Sequence, residues 1–247
     1  NANSVILGRN VNGIDNPFAT GTLNLHGGDF NASSIVMGQD ESPTGRNDRA
    51  RGVINLTAGT LNAATIASGS GEAVFNWTGG TLHVGTFGSA DKPIALTQNG
   101  GTLAPGNSVG AATIFGDYTQ AAAGTLQIEI AGTGDGGTDF DLVEVYGNTL
   151  LDGWLEVSLL DSFVPELGDH FDVLHTSGTL GIANLRISGD PPSPIFGWWQ
   201  VDTVLGPGGE GLTLRLSAVP EPSSFVLVGF GLLGLLWWRG GRNRRPV

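Results

Sequence analysis

Three carboxylates crowd one glycine-rich stretch of this sequence and could support chemistry. Asp135, Asp139 and Asp141 lie within seven positions of one another. Clustered carboxylate oxygens are the ligands that calcium prefers. The pattern occurs once and is not repeated along the chain, so a solvated turn between strands is the simpler interpretation. We therefore expect no metal and no cofactor, with a calcium site at these three residues as the alternative.

Two aspartates and two histidines form a second group that could perform acid–base chemistry, namely Asp169, His170, Asp172 and His175. Side chains alternate between the two faces of a strand, so no single face would collect all four. A polysaccharide lyase also needs a base opposite its carboxylates, and the body of the chain has few basic residues. With no cysteine present, thiol chemistry is excluded as well. The sequence thus predicts no catalytic residues.

Composition indicates the fold class and excludes one class of partner. Glycine contributes 41 of 247 residues and charged residues only 14%, a mixture that favours strands and tight turns over helices. Without residues 221–247 the chain carries 22 acidic and seven basic residues, a net charge of −15. Such a body repels phosphate backbones, so we expect an all-β protein that does not bind nucleic acid.

An internal repeat organises residues 1–105. Glycines at 28, 59, 80 and 101 each precede a Thr/Asp-Leu/Phe pair, at spacings of 31, 21 and 21. An apolar-polar-apolar triplet precedes the first three glycines, and its central residue is Asn24, Asn55 or Asn76. One unit cannot bury its apolar face alone, whereas stacked units can. The spacing predicts a right-handed parallel β-helix (a β-solenoid) with about 21 residues per coil, rising ~4.8 Å per coil, and with stacked asparagines.

The repeat also predicts boundaries along the chain. The 31-residue spacing indicates an insertion at residues 39–48, which we expect to form a surface loop. Residues 2–8 repeat residues 32–38, so the sequence starts in mid-coil and we expect further coils upstream. Beyond residue 105 the period blurs and longer alternating segments appear. We expect residues 106–217 to finish the solenoid and to form a β-rich cap.

Four segments resemble the β-solenoid passengers of autotransporters and related bacterial surface proteins. They are residues 99–108, 116–120, 124–130 and 168–174. The resemblance covers most of the chain. It implies a solenoid architecture and export, but it implies no chemical activity.

The last thirty residues, 218–247, form a block of three parts. Pro220-Glu221-Pro222 cannot continue a strand or a helix. The segment from Phe225 to Trp238 contains only apolar residues and glycine, and it predicts a single short membrane helix, below the usual ~20 residues. A basic cluster follows, which places that end on the cytoplasmic side: Arg239, Arg242, Arg244 and Arg245.

This order of motif, apolar segment and arginines resembles the PEP-CTERM sorting signal. The resemblance implies recognition of Pro220-Glu221-Pro222 by an exosortase-type membrane protease. It further implies an inner-membrane-anchored intermediate, removal of the anchor and delivery to the cell surface or the extracellular matrix.

Together these features predict a structural or adhesive surface protein that is not an enzyme, whose repeating face contacts extracellular polysaccharide. A carbohydrate-active β-helix enzyme, a lyase or a hydrolase, is the alternative. An ice-binding protein ranks below both, because it needs a flat threonine array. Four threonines do recur after the anchor glycines, at 60, 81, 102 and 125, but Asp29 breaks the row.

Overall fold

The structure is a computed structural model that describes residues 2–11, 19–41, 50–192 and 197–220. Within these ranges the regular structure consists of β-strands and one short 3-10 turn, Pro207–Gly209. The expectation of an all-β protein is therefore confirmed. Alternating apolar and polar residues, interrupted by glycine, leave no stretch in which a helical stripe could form.

Eighteen strands are described in this part of the chain, and all join one hydrogen-bonded sheet. In chain order they are β1 Ala2–Asn10, β2 Ala19–Asp40, β3 Ala50–Ser68, β4 Glu72–Trp77, β5 Thr81–Phe87, β6 Leu96–Gln98, β7 Gly101–Leu103, β8 Ala111–Phe115, β9 Tyr118–Gln120, β10 Gly124–Ile130, β11 Leu142–Tyr146, β12 Thr149–Leu151, β13 Trp154–Leu159, β14 His170–Thr176, β15 Leu180–Ile182, β16 Arg186–Gly189, β17 Gly197–Leu205 and β18 Leu212–Pro220.

Most strands pair in parallel with a segment that lies one repeat further along the chain. The strands β4, β6, β9, β12 and β15 pair in succession, and so do β5, β7, β10, β13 and β16. The register follows the glycine anchors, since Thr81 pairs with both Thr60 and Thr102, and Thr102 pairs with Thr125. The predicted repeat equivalences are thus confirmed. Parallel pairing continues past residue 105 as far as β16.

Rows of apolar side chains, one from each repeat, form the core. Leu61, Leu82, Leu103, Leu126 and Leu155 occupy successive paired positions, and all five are fully buried. Burying a leucine contributes roughly 1.5–3 kcal/mol, so a row of this kind is a large stabilising term. The alternating sequence pattern therefore places one face of each strand in a continuous core.

The anchor glycines lie at the corner between the two successions of parallel strands, and the backbone geometry there requires glycine. Gly59, Gly80 and Gly101 have φ values of 81°, 77° and 84°, which residues with a side chain rarely adopt. A Cβ on Gly80 would lie 2.7 Å from the carbonyl oxygen of Gly59. The stacked turns approach one another too closely for any other residue, which explains why glycine marks the repeat.

A buried polar group interrupts the apolar rows near this corner. Gln98 lies below Trp77 in the same row, and its amide donates hydrogen bonds to the carbonyl oxygens of Gly101 at 2.7 Å and Thr125 at 3.0 Å. The hydroxyl of Tyr118 donates to the Gln98 side-chain oxygen at 2.7 Å. These contacts give the buried Gln98 amide and the Tyr118 hydroxyl the hydrogen-bond partners that buried polar groups need.

An antiparallel hairpin closes the C-terminal end of the sheet. The strands β17 and β18 pair along their whole length, and β18 also pairs with β14. Trp199 of β17 packs edge-on against Phe171, with ring centroids 6.0 Å apart, and its indole donates a 2.7 Å hydrogen bond to the carbonyl of Asp190. The hairpin covers apolar residues that would otherwise form an open end.

Two predicted segments lie largely or wholly outside the residues that the structure describes. The insertion at residues 39–48 follows β2, and its residues 42–48 lie outside the described ranges. The predicted membrane helix between Phe225 and Trp238, with its arginine cluster, also lies outside them. Among the residues that the structure describes, no helix is long and apolar enough to cross a membrane.

Candidate functional site

A groove of about 690 Å³ lies on the outer surface of the first repeats. We call it the polar groove. Among the described residues, its lining contains no Asp, Glu, Lys or Arg, and apart from the polar residues it consists of alanine, glycine and valine. The polar lining residues are Asn3, Asn31, Ser33, Asn62, His83 and Asn107.

The groove exists because three repeats place small or polar residues in register. Asn31 pairs with Asn62, which pairs with His83, so these side chains form one outward row. The next outward row holds Ala64 and Gly85, whose small size leaves the space open. Successive paired strands lie ~4.8 Å apart, so the polar row presents hydrogen-bonding groups at that interval.

The loop at residues 104–110 forms a wall at one end of the groove. The Nδ1 atom of His83 lies 2.6 Å from the carbonyl oxygen of Gly106, and it must carry the proton because a carbonyl only accepts. At the far end of the loop, the backbone N–H of Gly110 donates to the carboxylate of Asp141 at 2.7 Å. Both contacts fix the wall, which contributes Asn107 to the groove.

The side chain of Asn62 contacts that of Asn31 in the groove lining. Its side-chain amide donates to the Asn31 side-chain oxygen at 3.0 Å, whereas its own Oδ1 has no hydrogen-bond partner in the described structure.

On another side of the sheet, the predicted asparagine stack is confirmed. Asn76 donates to Asn55 and Asn55 donates to Asn24, both at 2.7 Å.

Two of the three carboxylates of the calcium alternative accept hydrogen bonds from the backbone. The Asp139 carboxylate accepts from the N–H of Asp135 at 3.0 Å, and that of Asp141 accepts from Gly110 and Glu129. No group of three or more His, Cys, Asp or Glu in the described ranges could hold a metal ion. The Asp139 and Asp141 carboxylates thus hold backbone N–H groups in place, and this geometry gives the calcium alternative no support.

Three of the four acid–base candidates at and before β14 have structural partners. Asp172 forms a bidentate ion pair with Arg215 of β18, at 2.6 and 2.9 Å. His175 lies 3.2 Å from the Thr213 hydroxyl, while Asp169 accepts from a backbone N–H in its own turn. A bulge between Asp172 and Leu174 breaks the predicted alternation of faces, since Val173 and Leu174 are both buried. Asp172 and His175 contact β18, and Asp169 stabilises its own turn.

The threonine row is in register but short. Thr60, Thr81, Thr102 and Thr125 pair in sequence, and Asp29 and Trp154 occupy the next positions at the two ends of this row. The flat face needed by the ice-binding alternative is thus limited to four threonines.

The last described strand leads directly into the predicted sorting motif. Ala218 of β18 is fully buried, its N–H donates to the carbonyl of Asp169 at 2.9 Å, and its carbonyl accepts from Gly168 at 2.8 Å. Pro220 ends the strand and is the first residue of Pro-Glu-Pro. Glu221 and Pro222 lie outside the described residues.

Residues 218–244 match the family model described as the PEP-CTERM protein-sorting motif. The chain therefore carries a PEP-CTERM sorting signal. Such signals are recognised by exosortase, a membrane protease, and direct export through a membrane-anchored intermediate to the cell surface or the extracellular space. A search of curated proteins found no match to this chain.

The PEP-CTERM match covers most of the predicted sorting residues. It includes the Pro-Glu-Pro motif, the apolar segment and three of the four arginines, and it ends one position before Arg245. The groove, in contrast, was missed by sequence reasoning. Its signal was present, since Asn31, Asn62 and His83 each follow an anchor glycine by three positions.

Proposed function

We propose that this protein is a structural or adhesive component of the cell surface or extracellular matrix, and that it binds polysaccharide through its repeating outer face. The observation that carries this proposal is the neutral, open groove built across three repeats of an exported β-rich chain. Extended, shallow and hydrogen-bonding surfaces suit a polymer that offers many equivalent hydroxyl groups.

We further infer that the body is a right-handed parallel β-helix. What supports this inference is the set of parallel strand files, in which partners lie about 21 to 31 residues apart. Connections between parallel strands of one sheet are right-handed in about 98% of cases. The β17–β18 hairpin then serves as the β-rich cap.

We propose that the protein is not an enzyme. The carboxylates considered for catalysis each have a structural partner, as Asp172 has in Arg215 and Asp169 has in the backbone N–H of Glu166. Incubation of the full chain with soluble polysaccharides tests the point. Co-sedimentation without new reducing ends supports a binding protein, whereas steady product release supports the carbohydrate-active enzyme.

The sorting residues take the roles that a PEP-CTERM signal assigns. Pro220, Glu221 and Pro222 are read by the protease, the segment from Phe225 to Trp238 crosses the membrane, and the arginines hold the cytoplasmic end. Anionic lipids favour each arginine there by about 1 kcal/mol. The tail thus acts as a temporary tether.

Processing of Glu221→Ala in an exosortase-bearing host tests these roles. We expect uncleaved, membrane-bound protein, because the motif is altered at its central residue. Glu210→Ala is the matched control, since Glu210 is an exposed glutamate in the turn before β18. If the intact mass of the wild-type surface form still includes Arg239 to Arg245, the tail is not removed and the assignment of a cleaved tether is wrong.

A further inference from the structure

The charge of the molecule restricts what the polar groove can hold. None of the lining residues that the structure describes is Asp, Glu, Lys or Arg, and the chain up to residue 220 has a net charge of −15. An anionic chain would approach against this field and would meet no cation inside the groove. A neutral ligand meets neither penalty.

The hydrogen-bonding groups of the groove match hydroxyl groups. The side chains of Asn31, Asn62 and Ser33 both donate and accept, as a sugar hydroxyl does. Ser33 is exposed in the groove, so its hydroxyl is accessible to a ligand. A ligand rich in hydroxyl groups can both donate to and accept from such a side chain.

The fold also sets the direction of a bound chain. The row Asn31, Asn62 and His83 runs across the strands, so a ligand that contacts all three lies along the axis on which the repeats stack. Gly106 and Asn107 close the groove beyond His83. An extended peptide adding to a strand edge is excluded here, because the strand that holds Asn31 is already paired on both sides, with β1 and β3.

We propose that the polar groove binds a neutral, hydroxyl-rich polysaccharide, with the sugar chain running along the stacking axis and one end stopped by the wall at Gly106 and Asn107. This inference rests on the proposed function and adds to it the site, the ligand class and the orientation of the ligand.

Binding of the full chain, in mild detergent micelles, to immobilised dextran, laminarin and alginate tests the proposal. The variant Ala64→Trp blocks the groove, since Ala64 is exposed on its floor and the indole has no place in the core. Ser33→Trp is a second blocking variant in the neighbouring repeat. Ala90→Trp is the matched control, because Ala90 is exposed on a loop that does not line the groove.

We expect binding to at least one of the two neutral polymers, with little dependence on salt. Each blocking variant that keeps the wild-type unfolding temperature should weaken binding more than about tenfold, and Ala90→Trp should leave it unchanged. Unchanged binding by both blocking variants would overturn the site but leave the proposed function standing. Preference for alginate would overturn the ligand class alone. Failure to bind any of the three polymers would overturn the inference and the polysaccharide-binding function together.

Discussion

Asp141 tests whether burial or hydrogen bonding has the larger effect on the pKa of a buried carboxyl group. Only 1% of the residue is exposed, and its two carboxylate oxygens accept from the N–H groups of Gly110 and Glu129 at 2.7 and 2.8 Å. Burial raises the pKa of Asp141 from 3.8 to about 7, while the two backbone hydrogen bonds oppose this rise. The residue also holds one end of the groove wall, so its state matters for the candidate site.

The perturbation is Asp141→Asn, which keeps the shape and removes the titration. An amide has one acceptor oxygen, so one of the two backbone N–H groups would face the NH₂ group of the new side chain. Leaving a buried donor unsatisfied costs about 1–3 kcal/mol. At pH 4, where the folded wild type carries a protonated and neutral carboxyl, we therefore expect the variant to be the less stable protein by about that amount.

The sign of the pH dependence follows from the raised pKa of Asp141. A carboxyl whose pKa is higher in the folded state than in the unfolded state contributes its full stability below pH 3.8, and this contribution is lost as the pH rises to about 7. A difference of about three units corresponds to about 4 kcal/mol at most. Between pH 4 and pH 8 the wild type should thus lose stability relative to Asp141→Asn, and the two proteins should become equal or exchange order.

Urea unfolding of both proteins at pH 4, 6 and 8, followed by intrinsic tryptophan fluorescence, measures this difference. Only the difference between the two proteins is interpreted, because other groups titrate equally in both. If the wild type instead gains stability over the variant as the pH rises, the two N–H bonds outweigh burial. The pKa of Asp141 would then be lowered on folding, which contradicts the expected effect of burial.

Two further predictions concern the corner of the repeat. Gly80→Ala should cost at least about 2 kcal/mol in the free energy of unfolding, because its Cβ meets stacked backbone, whereas Gly208→Ala has similar φ but open space and should cost only about 1 kcal/mol. Gln98→Met should cost about 3 kcal/mol, because it removes the partners of two carbonyls and one hydroxyl, and Gln127→Met on the outer face should cost under about 0.5 kcal/mol. Denaturant unfolding measures all four, and equal costs within either pair would contradict the corresponding argument.

The parts of the fold that follow from short-range geometry could be predicted from the sequence. Glycine recurs at 59, 80 and 101 because stacked turns exclude a Cβ there, so the period was visible in the residues themselves. The asparagine stack was predictable for a similar reason, since identical side chains at one register position bond to one another.

The rest depends on contacts between distant segments that carry little local signal. Arg215 and Asp172 lie 43 positions apart, and their ion pair forms only because β18 runs antiparallel to β14. The groove likewise needs three repeats and a wall, and that wall depends on a bond between Gly110 and Asp141. Period alone could not indicate that residues 104–110 turn back over His83.

The end of the β body and the start of the sorting signal share one strand. Ala218 is fully buried, and both its N–H and its carbonyl form backbone hydrogen bonds. Pro220 ends the same strand. Cleavage on the C-terminal side of Pro220 leaves the cap intact, whereas cleavage before it requires β18 to separate from β14 and β17. Paired and buried backbone is protected from proteases, so the fold favours cleavage within the tail. The proposed removal of the tether would therefore leave the core closed beneath the hairpin.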